Sequence, residues 1–194
     1  MTYYYKKFEF TAYTEADLLA NGRNGSSFGH GDSFTVGSPT VTMSTYDNDY
    51  SLSGDGSYYG NGHAQDGSGQ LASVDGERVG SQMYAEQYHV LKGSDGQTYY
   101  MIEVKVECHD SAGAGNGYFT FYGAQPPAGT TLTNVGTCDV QGCWVDYRCL
   151  GAGETAPANT PPTFTNVPRT AFSASMRTPS WSSTWPLRMP MAMR

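Results

Sequence analysis

The sequence predicts an all-β protein: an antiparallel β-sandwich or jelly roll with long Gly- and Asp-rich loops. Three observations carry that prediction. The 194 residues include 24 Gly and 15 Tyr; glycine depresses helix formation, and tyrosine suits a pleated, half-buried surface. Residues 79–107 read as two strands flanking the turn Lys92-Gly93-Ser94-Asp95-Gly96. About nine strand-like runs in all are separated by Gly-, Asp- and Pro-rich turns. That pattern favours two packed sheets, with a closed barrel as the alternative.

Taken in order, residues 2–12 form a strand with Tyr4, Lys6, Phe8 and Phe10 on one face and Tyr3, Tyr5, Lys7 and Glu9 on the other. Thr14-Glu15-Ala16-Asp17 resembles a capping signal ahead of Leu18-Leu19-Ala20 and predicts one or two helical turns. Two short strands follow, over 31–36 and 39–45. Residues 46–70 carry too much Gly and Asp for regular structure, and a loop of that length is tied down or functional. Leu71–Val74 resumes a strand, closed by Asp75-Gly76.

The central hairpin has the clearest pattern. Tyr100, Ile102, Val104 and Val106 alternate with Met101, Glu103, Lys105 and Glu107, giving one apolar and one largely charged face. In its first strand Tyr84, Tyr88 and Val90 share a face interrupted by Glu86, and Met83, Ala85, Gln87, His89 and Leu91 share the other. Gly and Asp in the turn accept the positive φ angles that tight connections need. Beyond a glycine loop at 110–117, Tyr118–Tyr122 is a compact aromatic strand, and 130–135 and 141–149 supply the last two.

The domain organisation expected is a β-sandwich domain over 1–150, a Pro- and Thr-rich linker over 151–168, and an irregular basic tail over 169–194. The tail holds Arg169, Arg177, Arg188 and Arg194, no acidic residue and no usable period. It reads as translation out of frame: one permissible back-translation, read two bases along, gives an acidic, strand-forming sequence containing Asp-Ala-Asp-Gly-Asp-Ala. The alternative is a genuine basic tail that docks on the acidic body.

Lys and Arg total 11 against 18 Asp and Glu, a net charge of −7, which argues against phosphate-backbone binding and hence a nucleic-acid partner. No apolar run approaches the ~20 residues of a membrane span. The N-terminal stretch lacks the apolar core of a Sec signal peptide. Low charge and abundant Gly, Ser and Thr point instead to an exported protein, with type I export as the expected route.

A set of segments together resembles a known family. These are GDSFTVGSPTVTMSTYDNDYSLSGDG, AQDGSGQLASVDGE, QMYAEQYHVL, DGQTYYMIEVKVE and PPAGTTLT. The order is similar to an N-terminal β-domain of large secreted proteins of marine alphaproteobacteria, over roughly residues 32–150. In that family the domain precedes a Hint self-processing domain or cadherin-like and RTX repeats. The stretch from Asn159 to Pro168 resembles the lead-in to a cadherin-like repeat. No Hint nucleophile motif and no GGxGxDxUx nonapeptide is present. The resemblance implies a non-enzymatic module of a secreted, multi-repeat surface protein of adhesion type.

Candidate site residues are few. Asp47, Asp49 and Asp55, with Asn48 and Asp66 nearby, offer the hard oxygens of a Ca2+ site; the alternative is Asx turns in a glycine-rich loop. No EF-hand is formed, since Leu52 and Tyr58 stand where Gly and Glu belong. Cys108, Cys138, Cys143 and Cys149 fit no zinc pattern and are disulfide candidates, with Cys138–Cys143 or Cys143–Cys149 as the expected bridge. His30, His63, His89 and Cys108-His109 carry no catalytic signature, and no other cofactor is implied. The pairs Tyr58-Tyr59 and Tyr99-Tyr100, with Tyr84, could stack on sugars, so a carbohydrate-binding module of a secreted enzyme is the second reading. Either reading calls for a glycan or cell-surface partner.

Overall fold

The structure is a computed structural model that describes residues 5–20, 28–54, 70–106, 117–140 and 143–151. It confirms the all-β prediction: the described residues form ten strands, one short helix and one 3-10 turn, arranged as an antiparallel sandwich-like fold. The strands are β1 (Lys6–Thr14), β2 (Ser33–Thr35), β3 (Val41–Asp47), β4 (Ser51–Ser53), β5 (Leu71–Val74), β6 (Glu77–Gly93), β7 (Thr98–Val106), β8 (Tyr118–Tyr122), β9 (Thr131–Asp139) and β10 (Trp144–Asp146). Linker and tail, from residue 152, lie outside the described residues.

Two strands serve both layers. The first half of β6 pairs with β5, and its second half with β7 on one edge and β9 on the other. β1 pairs with β3 along most of its length and with β8 through Tyr13 and Thr14. The hydrogen-bonded circuit therefore runs β6, β5, β3, β1, β8, β7 and back to β6, so the two layers are joined at both sides. One layer is β1–β3–β5 with the start of β6. The other is β8–β7–β6–β9–β2.

The enclosed core contains Phe10, Met43, Met83, Ile102, Val104, Tyr118 and Leu150 among others. A second core lies outside the circuit, against the outer face of the β6–β7–β8 layer. There Leu91, Met101, Phe119, Phe121 and Leu132 meet Tyr13, Leu18, Phe28, Phe34 and Val36. All five residues of β8 are buried for that reason. The charged face predicted for β7 is thus only partly solvated: Met101 is buried, and only Glu103 and Lys105 follow the expectation in part.

Local sequence explains the corners. Asp75 and Gly76 both have positive φ, the backbone of a two-residue hairpin turn that Asp-Gly supplies with least strain. α1 (Glu15–Ala20) begins with a reciprocal cap: the Thr14 N–H donates to Asp17 Oδ2 (2.6 Å) and the Asp17 N–H to Thr14 Oγ1 (3.2 Å). The stretch expected to be irregular from residue 46 contains β4, which pairs with β10 and covers one end of the enclosed core. Gly54 fits there because a Cβ would stand 2.1 Å from the Val140 carbonyl oxygen.

One predicted face is corrected. The pairing of β6 with β7 shifts register between Ala85 and Gln87, leaving Glu86 as the extra residue of a β-bulge. Met83 and Ala85 before it, and Tyr88 after it, all line the enclosed core, while His89 and Leu91 turn to the outer face.

Candidate functional site

Asp47 ends β3 fully buried. Its Oδ1 accepts the N–H groups of Asn48 (2.6 Å) and Asp49 (3.3 Å), and its Oδ2 accepts the Tyr147 hydroxyl (3.0 Å). The same hydroxyl lies 3.2 Å from Gln70 Oε1, which accepts the Ser53 N–H, and Gln70 Nε2 donates to the Met83 carbonyl. One hydroxyl has one proton, so it donates to the nearer carboxylate. Asp49 Oδ1 accepts the Ser51 N–H at 2.6 Å. Both aspartates therefore hold their own loop in Asx turns, the alternative set beside calcium. Asp55 and Asp66 lie outside the described residues, among which no group of three His, Cys, Asp or Glu could hold a metal ion.

The expected disulfides are not formed: Cys138, Cys143 and Cys149 are free thiols. Their surroundings differ too much for pairing. Cys138 is exposed on β9 opposite Tyr88, whose hydroxyl is held well above its ordinary pKa by burial first and by the thiol second. Cys143 is buried in the enclosed core, and burial, aided by Asp139, raises its thiol pKa, so it is a packed side chain. Cys149 is half-buried at the end of the 3-10 turn, where its carbonyl accepts the Gly123 N–H. Cys108 lies outside the described residues.

Of the histidines, His30 is exposed, His63 and His109 lie outside the described residues, and His89 is fully buried. His89 Nδ1 sits 2.9 Å from Thr137 Oγ1 and 3.2 Å from Asn134 Nδ2, with the Phe28 ring edge-on at 4.9 Å. Its Nε2 faces Glu103 Oε2 at 3.7 Å and makes no hydrogen bond among the described residues. Hydroxyl, imidazole and carboxylate thus stand in the order of a nucleophile–base–acid set. The carboxylate is beyond hydrogen-bond reach of the ring, so it cannot orient it as a working triad would. Asn134 instead ties the cluster to the main chain, through the Phe28 carbonyl and the Gly136 N–H. The cluster joins β6 to β9 and the Phe28 segment.

The tyrosines divide sharply. Tyr58 and Tyr59 lie outside the described residues. Tyr99 is buried and its hydroxyl donates to Asp95 at 2.6 Å; burial first and this bond second push its pKa up to about 12. Tyr84 and Tyr100 are half-buried. Among the described residues the exposed aromatic side chains are Tyr46 (60% exposed), Tyr5 (51%) and Tyr50 (40%). Tyr50 is already engaged: Lys6 Nζ lies 3.9 Å and the Arg148 guanidinium 4.5 Å from its ring centre, with Phe8 edge-on. The hydrogen bond from Lys6 lowers its phenol pKa. Among the described residues Tyr46 and Tyr5 carry no such cover. Tyr46 is the cross-strand partner of Lys7, and Tyr5 stands two residues before Lys7. The signal was legible, because Tyr3, Tyr5, Lys7 and Glu9 were assigned to one face, but nothing in the pattern marked that face as the one left open.

Compared with models of protein families, with curated proteins and with solved structures, the chain matches none. Among the described residues no helix is long and apolar enough to cross a membrane.

Proposed function

We propose that the chain is a non-enzymatic module of a secreted, multi-repeat surface protein of adhesion type. One observation carries this reading. No described segment crosses the outer face of the β1–β3–β5 layer, which displays Tyr5, Tyr46 and Leu71, three of the five exposed large apolar side chains among the described residues. The equivalent face of the other layer is closed by a second core. A surface module needs one rigid face turned outward, and a sheet supplies it without a cleft. The buried polar groups agree with the reading: Asp47, Gln70 and Tyr147, and separately His89, Asn134 and Thr137, hold strands together rather than converge on a space for substrate. The cadherin-like lead-in at 159–168 supplies the expected setting.

The test is to read the coding sequence past the codon for Arg194 in all three frames. Repeats of cadherin-like or RTX type are expected. A stop in every frame with no repeats encoded overturns the proposal.

A further inference from the structure

We infer that His89 is a proton-operated latch beside the second core: a buried neutral imidazole that takes a second proton on mild acidification and closes on Glu103. The device stands on the buried cluster alone and does not depend on the module reading.

The donors and acceptors around the ring fix its starting state. Asn134 Oδ1 accepts the Gly136 N–H, which turns Nδ2 toward the cluster. Nδ2 lies 3.3 Å from the Phe28 carbonyl oxygen, 3.0 Å from Thr137 Oγ1 and 3.2 Å from His89 Nδ1. An amide nitrogen has one hydrogen for each of the first two, which leaves the Thr137 hydroxyl to donate its own proton to His89 Nδ1 at 2.9 Å. The ring proton then sits on Nε2, the one atom of the ring without a hydrogen bond among the described residues, facing Glu103 Oε2 at 3.7 Å. The other tautomer would set a bare Nε2 lone pair against a carboxylate.

The surroundings admit a second proton. Taken from solvent, it lands on Nδ1, which then donates to Thr137 Oγ1 instead of accepting from it. Thr137 is exposed, so its hydroxyl proton turns to water. Nε2–H becomes part of a cation, and closure by about 1 Å brings it to Glu103 at the length of a charge-assisted hydrogen bond. Glu103 is set for this: its Oε1 lies against buried Gly117, where a Cβ would stand 2.7 Å away. The ring is fully buried between Phe28 and Phe119, where water screens the pair little. Burial opposes a charge on the ring and the facing carboxylate favours it. Among the described residues Glu103 is the one charged group against the ring. Next on β7, Lys105 bonds Glu86; on β9, Asp139 is exposed two residues past Thr137; His30 is exposed, and Asp32 accepts the Gly29 N–H. Asn134 already ties β9 to the Phe28 segment, so closure adds β7 to that tie and tightens the cover of the second core in acid.

The experiment is nitrogen NMR of the histidine rings in the full chain between about pH 8 and about pH 5, the range in which imidazole titrates. Urea unfolding of the parent and of Glu103→Gln accompanies it at both ends. At the alkaline end the His89 ring should be bare at Nδ1 and protonated at Nε2; at the acid end it should carry both protons with the chain still folded. The urea midpoint of the parent should exceed that of Glu103→Gln by more at the acid end than at the alkaline end, because the amide offers the imidazolium no charge. The inference is overturned if Nδ1 carries the proton at the alkaline end, or if the ring holds the same charge throughout. It is equally overturned if the gap between parent and variant stays constant or narrows on acidification. Should Glu103→Gln fail to fold, the ring nitrogens of the parent decide alone, since their pattern needs no variant.

Discussion

The two layers of this molecule share one enclosed core and meet solvent differently. The β6–β7–β8 layer is apolar on both faces: Ile102 and Val104 look into the enclosed core while Met101, Phe119 and Phe121 look out into the second one. The β1–β3–β5 layer is apolar on one face only, and its strands keep the alternation Lys-Phe-Glu-Phe-Thr that a half-solvated sheet requires. The difference teaches what decides whether a sheet face is open. The strand pattern and the cover agree: α1 and the segment from Phe28 to Val36 lie across the layer that is apolar on both faces, and no described segment lies across the one that alternates.

The comparison breaks most readily at the second core. Phe121→Ala removes a fully buried ring from it and is expected to cost about 3–5 kcal/mol, whereas Tyr46→Ala on the open face should stay within about 0.5 kcal/mol. Urea unfolding of both variants measures this directly. A small cost for Phe121→Ala would show that the outer core is an accessory to the circuit and that the layers are equivalent after all.

A smaller effect is expected where β4 and β10 close the end of the enclosed core. Tyr147→Phe takes away the hydroxyl that donates to buried Asp47, at about 1–3 kcal/mol in the same unfolding experiment. Retention of full stability would mean that the Asp47 turn is held by its main-chain donors alone.

Weaker still is the turn at the tip of the central hairpin. The Tyr99 hydroxyl and the Gln97 N–H lower the pKa of Asp95. A depressed folded-state pKa stabilises above the unfolded value of about 3.9 and loses that contribution as pH falls through the folded one. Asp95→Asn should therefore lower the denaturation midpoint slightly at pH 7, and the gap from the parent should close on acidification below about pH 4. A gap independent of pH would place the effect in the turn's geometry.

The smallest expected response is to calcium. With Asp47 Oδ1 and Asp49 Oδ1 accepting from their own loop and Asp47 Oδ2 from Tyr147, melts in millimolar Ca2+ and in chelator should coincide. A rise of several degrees that Asp49→Ala abolishes would establish an ion in the loop.

How much of this was legible depends on whether a strand has one dry face or two. Periodicity located nearly every strand and the Thr14–Asp17 cap, since both signals are local. It misread the faces of β6 because Glu86 is a bulge residue, and a single inserted residue turns every later side chain to the other face. Asn134 and Thr137 were missed around His89 for the same reason. The shift in pairing between Leu91–Asn134 and Val90–Gly136 leaves Val135 over, which puts positions three apart on one face. Gly136 within a strand was the available hint. The absent cysteine bridges were not legible at all, since spacing gives reach along the chain but not which side of a sheet each thiol takes.

The circuit closes through Tyr13–Phe119 and Thr14–Tyr118, and this fixes an order of events in synthesis. β1 leaves the ribosome ahead of the other described strands, yet the strand that seals its far edge follows about a hundred residues later. At roughly 5–20 residues per second that is a wait of about 5–20 s. Meanwhile the β6–β7 hairpin, with its short loop, can form within about 10 μs of emerging. Contacts of this range form late, and until then Phe8, Phe10 and Ala12 are an unclosed apolar surface that a nascent chain must keep from its neighbours.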